Sequence, residues 1–170
     1  MHFIRLALIS LVILFLVVMG LSLFIPSHIR ISKATNVKAS RGKVMSQLKD
    51  ASNWKSWYPG LDTAKPYYVS GVVKGMILND KDSLHPVYIA IQKEDSSEVT
   101  AQFVGKNMNP VINVWKTIEN PSADSLTLQW YMDFHLRWYP WEKLASLTLE
   151  KSYGPRMEQG LNNLKKLVEN

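Results

Sequence analysis

Hydrophobic and polar positions divide the chain into stretches of different period, and each period predicts a different element. From Leu6 to Ile25 the residues LALISLVILFLVVMGLSLFI carry no charge. As a helix rising about 1.5 Å per residue, such a run crosses a hydrocarbon core of roughly 30 Å once. Pro26 ends it, because proline lacks the N–H a helix needs. The pattern predicts a transmembrane anchor over residues 1–26 and a folded domain over 27–170. A cleavable secretory signal is the competing reading, since Arg5 supplies a short basic lead-in. Signal cores, however, run about 7–15 residues and end at a small-x-small site that is missing here.

After the anchor the period shortens to two. In HIRISKATNV, residues His28, Arg30 and Ser32 alternate with Ile29, Ile31 and Lys33, which predicts a first strand. Ser40 then stands where a helix N-cap belongs, and Val44, Met45, Leu48 and Ala51 share one face at helical spacing. NWKSWYPG closes this region with a Pro59-Gly60 turn. Between Tyr67 and Arg137 come the short runs PYYVSG, GMILN, PVYIAIQ, EVTAQFVG, VINVWKTIE and SLTLQWYMDFHLRW. Their separators are VVKG, NDKDS, EDSS, KNMNP and NPSAD, so the region predicts about six antiparallel strands, seven with the first. Finally Met157, Leu161, Leu164 and Val168 recur as one stripe, with Pro155 at the first turn of an amphipathic C-terminal helix. The sum is an α+β domain in which a curved sheet holds that helix.

The last predicted strand is the most informative. Sorted by period two, Leu126, Leu128, Trp130, Met132, Phe134, Leu136 and Trp138 point one way, and Thr127, Gln129, Tyr131, Asp133, His135 and Arg137 the other. The apolar face must meet the C-terminal helix, so its residues are core or cavity wall. Phe103, Leu128, Trp130, Met132, Phe134, Met157, Leu161 and Leu164 are the cavity candidates. Met132 and Phe134 are favoured as large, adaptable groups near mid-strand. Trp54, Trp57, Trp138 and Trp141 are expected at the ends of the sheet, capping it, forming a cavity mouth or resting at a membrane edge.

Twenty Lys and Arg stand against fourteen Asp and Glu, a formal net charge of +6. The surplus is spread thinly, which leaves nucleic-acid binding without a footprint. Only Arg5 precedes the apolar run, whereas Arg30, Lys33, Lys38, Arg41 and Lys43 follow it, so the positive-inside bias favours a cytoplasmic domain. The chain has no cysteine, which fits a reducing compartment and excludes thiolate metal sites.

Catalytic chemistry has little to stand on. Asp133, His135 and Arg137 fall on the polar, convex face, and positions four apart on a strand are too distant to pair. His2, His28 and His85 are scattered, and Asp80-x-Asp82 lacks the rest of a calcium loop and reads as a turn. No HExxH, GxSxG, P-loop or GxGxxG occurs. No catalytic residue, metal or cofactor is therefore assigned. Lys116 is the candidate for an inward polar group, on the assumption that Ile112, Val114 and Ile118 face inward with it.

Several motifs resemble a known family when taken in order. They are an apolar span, Ser-x-x-x-Val-x-x-x-Leu at 40–48, Asn-Trp-x-x-Trp-x-Pro at 53–59 and Gln-Trp-x-Met at 129–132. Gly-Pro-x-Met-Glu-x-Gly-Leu-x-Asn-Leu-Lys-Lys follows at 154–166. Together they resemble the polyketide cyclase/dehydrase-like branch of the START-like (SRPBCC, helix-grip) superfamily, in its membrane-anchored bacterial form, over roughly residues 29–169. Arg41-Gly42 departs from the proline and glutamate frequent there. The resemblance implies a seven-stranded antiparallel sheet around a long C-terminal helix, with a cavity that in many members takes an apolar ligand. It implies no single reaction, since lipid carriers, aromatase/cyclases and chaperone co-factors share the fold. The expectation is a membrane-anchored START-like domain that binds or presents a hydrophobic small molecule or lipid, with the membrane as its partner. A cyclase/dehydratase-type enzyme on a polyketide-like substrate and a filled-core protein-interaction module are the alternatives.

Overall fold

The computed structural model describes residues 2–79, 86–106, 108–120 and 125–170. Asp80, Asp82 and His85, assigned to a turn and a strand start, lie outside the described residues. Helix α1 (His2–Leu23) is long and apolar enough to cross a membrane, and its large side chains from Phe3 to Val17 are exposed rather than packed on a core.

Beyond it come β1 (His28–Val37), α2 (Arg41–Lys49), a single 3-10 turn (Ala51–Asn53) and α3 (Trp54–Trp57). A meander follows: β2 (Lys65–Val69), β3 (Val72–Asn79), β4 (Val87–Glu94), β5 (Glu98–Val104), β6 (Val111–Glu119) and β7 (Leu126–His135). The chain ends with α4 (Pro140–Ser146) and α5 (Leu149–Glu169). The seven strands form one antiparallel sheet in the order β1-β7-β6-β5-β4-β3-β2, which α5 crosses against β1 and β7. This is the α+β helix-grip arrangement that the periodicities predict.

Two boundaries differ from expectation. Val72, Val73, Lys74 and Gly75 belong to β3, and the β2–β3 turn is instead Ser70-Gly71, with φ of 52° and 81°. Two positive φ values in a two-residue loop match the twist of flanking strands, so the hairpin closes there. Pro155 lies inside α5 rather than at its start. The turn before it stays helical because Leu149 and Tyr153 pack against the core, offsetting the hydrogen bond that proline forfeits.

The centre of the core is aromatic. Trp54, Trp57, Trp115 and Trp130 are at most 1% exposed, with ring centroids 5.3–6.3 Å apart in tilted and edge-on contacts. Such arrangements are favoured by the ring quadrupoles. Trp54 and Trp57 are therefore core, and a membrane edge is ruled out for both. Their three-residue spacing puts them on one side of α3, and α3 turns that side to the sheet. Trp54 Nε1 also donates to the Leu48 carbonyl at 2.9 Å, tying α3 back to α2.

Candidate functional site

Between the sheet and the first half of α5 lies a cavity of about 180 Å³. The strands supply an apolar wall of Leu78, Phe103, Val111, Trp130 and Met132. Residues Tyr58, Pro59 and Gly60, following α3, close one side, and Tyr153, Arg156 and Met157 of α5 close the other. Spacings of three and four along a helix put Tyr153, Arg156 and Met157 on one face, so α5 presents two polar groups and one apolar group to the same space.

Four of the eight cavity candidates thus line it: Phe103, Trp130, Met132 and Met157. Leu128, Phe134, Leu161 and Leu164 are at most 4% exposed and do not line this cavity. Phe134 instead meets the Tyr153 ring at 5.0 Å, and Leu161 borders a separate polar hollow with Lys33 and Glu158.

The cavity sits at one end of the sheet, and the register shows which. His28 at the start of β1 faces His135 at the end of β7, and Asp133 faces Ile112 near the start of β6. Val111 then faces Phe103, which faces Ile89, and Asn79 ends β3 opposite Val87. Phe103, Val111 and Leu78 therefore lie at the end of the sheet where β1 begins, the end from which α1 departs. There α4 contacts α1, and the buried Lys143 donates its Nζ to the Ile25 carbonyl at 3.0 Å. Trp138 and Trp141 stand beside this junction in sequence and are 67% and 65% exposed.

Polar groups at the cavity were partly hidden from sequence reasoning. Tyr58, Tyr153 and Arg156 went unremarked. Burial pushes the Tyr58 hydroxyl well above the ordinary tyrosine range, with Tyr153 adding to the rise and Arg156 opposing it. It is protonated at neutral pH and can donate a hydrogen bond. Lys116 does not face inward: Val111, Asn113, Trp115 and Thr117 are the buried, inward residues of β6, and Lys116 is exposed on the other face. The inward polar residues are instead Thr117 and Asn113, the latter fully buried, with its Oδ1 accepting from Trp130 Nε1 at 3.2 Å. Its Nδ2 is buried with no hydrogen-bond partner among the described residues. Sorting VINVWKT by period two, with Trp115 inward, was the available signal.

On the opposite face, Asp133 is 8% exposed and not solvated as the strand pattern suggested. Arg30 of β1 grips its carboxylate through Nε and a terminal nitrogen, both at 2.7 Å, and His28 Nε2 lies 3.4 Å away. The Arg30 hydrogen bonds hold the Asp133 carboxyl below the usual carboxylate range. His28 stacks on His135 at 4.6 Å, and the Arg30 guanidinium lies 4.3 Å from the Tyr131 ring centre. This cluster staples β1 to β7 and opens onto no cavity of the site.

Residues 28–169 match the family described as polyketide cyclase / dehydrase and lipid transport. Among solved structures, a START superfamily protein from Mycobacterium smegmatis aligns with a TM-score of 0.58 at 17% identity, over 82% of this chain and 97% of that one. Norcoclaurine synthase from Thalictrum flavum aligns at 0.61 and 14% identity, over 83% and 93%. The di-domain ARO/CYC StfQ from the steffimycin biosynthetic pathway aligns at 0.63 and 11% identity, over 84% of this chain and 51% of its own length. These likenesses are of fold. No curated protein matches the chain by sequence.

Proposed function

Because the chain belongs to the polyketide cyclase/dehydrase and lipid transport family, we propose that its domain takes up an apolar small molecule or lipid in the cavity between β7 and α5, while α1 holds it to a membrane. The observation that carries this reading is the cavity of about 180 Å³ with an apolar strand wall, placed at the α1 end of the sheet. A helix exposing apolar side chains along most of its length supports a retained span. A cavity at that end of the sheet suits a ligand arriving from the bilayer.

Size sets the ligand. Cavities of roughly 150 Å³ accept a benzene-sized guest, so this one holds a single ring or about six carbons of a chain, less than a fused polyketide. At about 0.8 kcal/mol per buried CH₂, six carbons give roughly 5 kcal/mol. Lost freedom on association offsets most of that, so polar contacts at the cavity contribute to affinity. A reaction is the weaker reading. Among the described residues no carboxylate or histidine lines the cavity, and Tyr58 holds its proton too firmly to serve as a base near neutral pH.

Purifying the full chain from its membranes, extracting it and analysing the extract by mass spectrometry tests the proposal. An apolar molecule is expected with the natural chain and not with Met132→Trp, whose indole fills the cavity, provided both unfold at similar temperature. Equal loading of the two proteins, or no bound molecule and no uptake of added lipid, sinks the cavity reading and favours a filled-core interaction module.

A further inference from the structure

We propose that the cavity selects an amphiphile with one anionic head group, which Arg156 pairs with and the hydroxyls of Tyr58 and Tyr153 hydrogen-bond; this rests on the uptake reading above. The strands give the cavity an apolar wall, and its polar side chains come from α5 and the segment after α3. Phe103, Val111 and Met132 of the strands offer only carbon and sulfur, whereas Tyr58 follows α3 and Tyr153 and Arg156 stand on α5, with Met157 beside them. A lining divided in this way suits a ligand divided in the same way.

The sign of the head group follows from charge. Arg156 is the charged residue of the lining, and no carboxylate shares the space among the described residues. Several other cations of the domain pair with carboxylates. Arg30 pairs with Asp133, Lys33 with Glu150 and Glu158, Arg41 with Glu119, Lys74 with Glu94, and Lys165 with Glu169. No carboxylate pairs with Arg156 among the described residues, although α5 carries Glu150 and Glu158 on its other side, bound to Lys33. The Tyr58 hydroxyl keeps its proton at neutral pH, and neither tyrosine hydroxyl has a hydrogen-bond acceptor among the described residues. Donors converging on an ionised oxygen make hydrogen bonds roughly twice as strong as neutral ones. A guanidinium with two phenols fits a carboxylate or a phosphate monoester; it repels an amine and gains little from an alcohol.

The test uses the full chain in nanodiscs of zwitterionic lipid, with empty nanodiscs as the blank. Hexanoate, 1-hexanol and hexylamine are titrated by calorimetry. Hexanoate should bind about tenfold or more tighter than hexanol, and hexylamine weakest. Arg156→Gln should bring hexanoate to the level of hexanol, and Arg156→Lys should keep part of the preference. Equal binding of hexanoate and hexanol by the natural chain, or a preference that survives Arg156→Gln, overturns the anionic selection and leaves uptake standing. Binding of none of the three overturns both.

Discussion

There is no room for a side chain at Gly160, because a Cβ there would stand 2.8 Å from Cζ3 of Trp130 and 3.0 Å from Cδ of Pro59. Only glycine, lacking a Cβ, fits this close to the Trp130 ring and to Pro59. Beyond it, Leu161 and Leu164 are buried in the core; before it, Tyr153, Arg156 and Met157 line the cavity. Gly160→Ala should therefore push the Trp130 indole toward the cavity, destabilise the domain by about 1–3 kcal/mol and weaken ligand uptake. Denaturant unfolding and a binding titration on the same preparation would check this, and a variant as stable as the natural chain would contradict it.

Acid should loosen the β1–β7 seam. Arg30 holds the Asp133 carboxyl below its ordinary value, which is about 3.9. Stability from that depression is complete above the ordinary value and is lost as pH falls through the lower, folded one. Asp133→Asn should lower the thermal midpoint at pH 7, and the gap from the natural protein should close as pH falls through the lowered, folded value. A gap that is constant with pH would assign the loss to packing.

Trp138 and Trp141 should touch lipid. The other four tryptophans are buried in the core, so in vesicles of lipid brominated near the head group the quenched fraction of the emission should come from this exposed pair. Replacing both with tyrosine should remove the quenching. Quenching that persists unchanged would place the pair in water.

The side of the membrane can be read chemically because the chain has no cysteine. Ser52→Cys adds a single thiol at an exposed site of the domain. In intact cells or spheroplasts an impermeant maleimide should fail to label it until the membrane is opened, if the domain is cytoplasmic. Labelling before opening reverses the orientation.

How far the sequence foretold this structure depended on the distance over which each feature is determined. Alternation in β7 and the Met157–Val168 stripe are local, and both elements formed with the faces their periods imply, except that β7 ends at His135 and leaves Trp138, assigned to the inward face, exposed. Asp133 was misjudged because its partner, Arg30, lies 103 residues away and meets it only through the β1–β7 register. Spacing put Trp54 and Trp57 on one side of α3 but carried no information on which way that side turns. Cavity wall and core were equally indistinct along β7. Leu128 and Met132 share a face, yet of the two only Met132 lines the cavity. The basic residues counted for orientation were legible only as charges: Arg30, Lys33 and Arg41 turn out to be engaged with carboxylates of the fold, which weakens them as a topology signal.

The bond from Lys143 to the Ile25 carbonyl has a mechanical consequence. Only Pro26 and Ser27 separate that carbonyl from β1, and a buried ammonium latched on it removes the slack even from so short a joint. Given α1 in a bilayer, the domain has height but hardly any radius: it does not sweep the surroundings as a tethered carrier on a long leash does. Its traffic would be vertical, with molecules of the leaflet directly beneath it, and any acceptor would have to come to the domain.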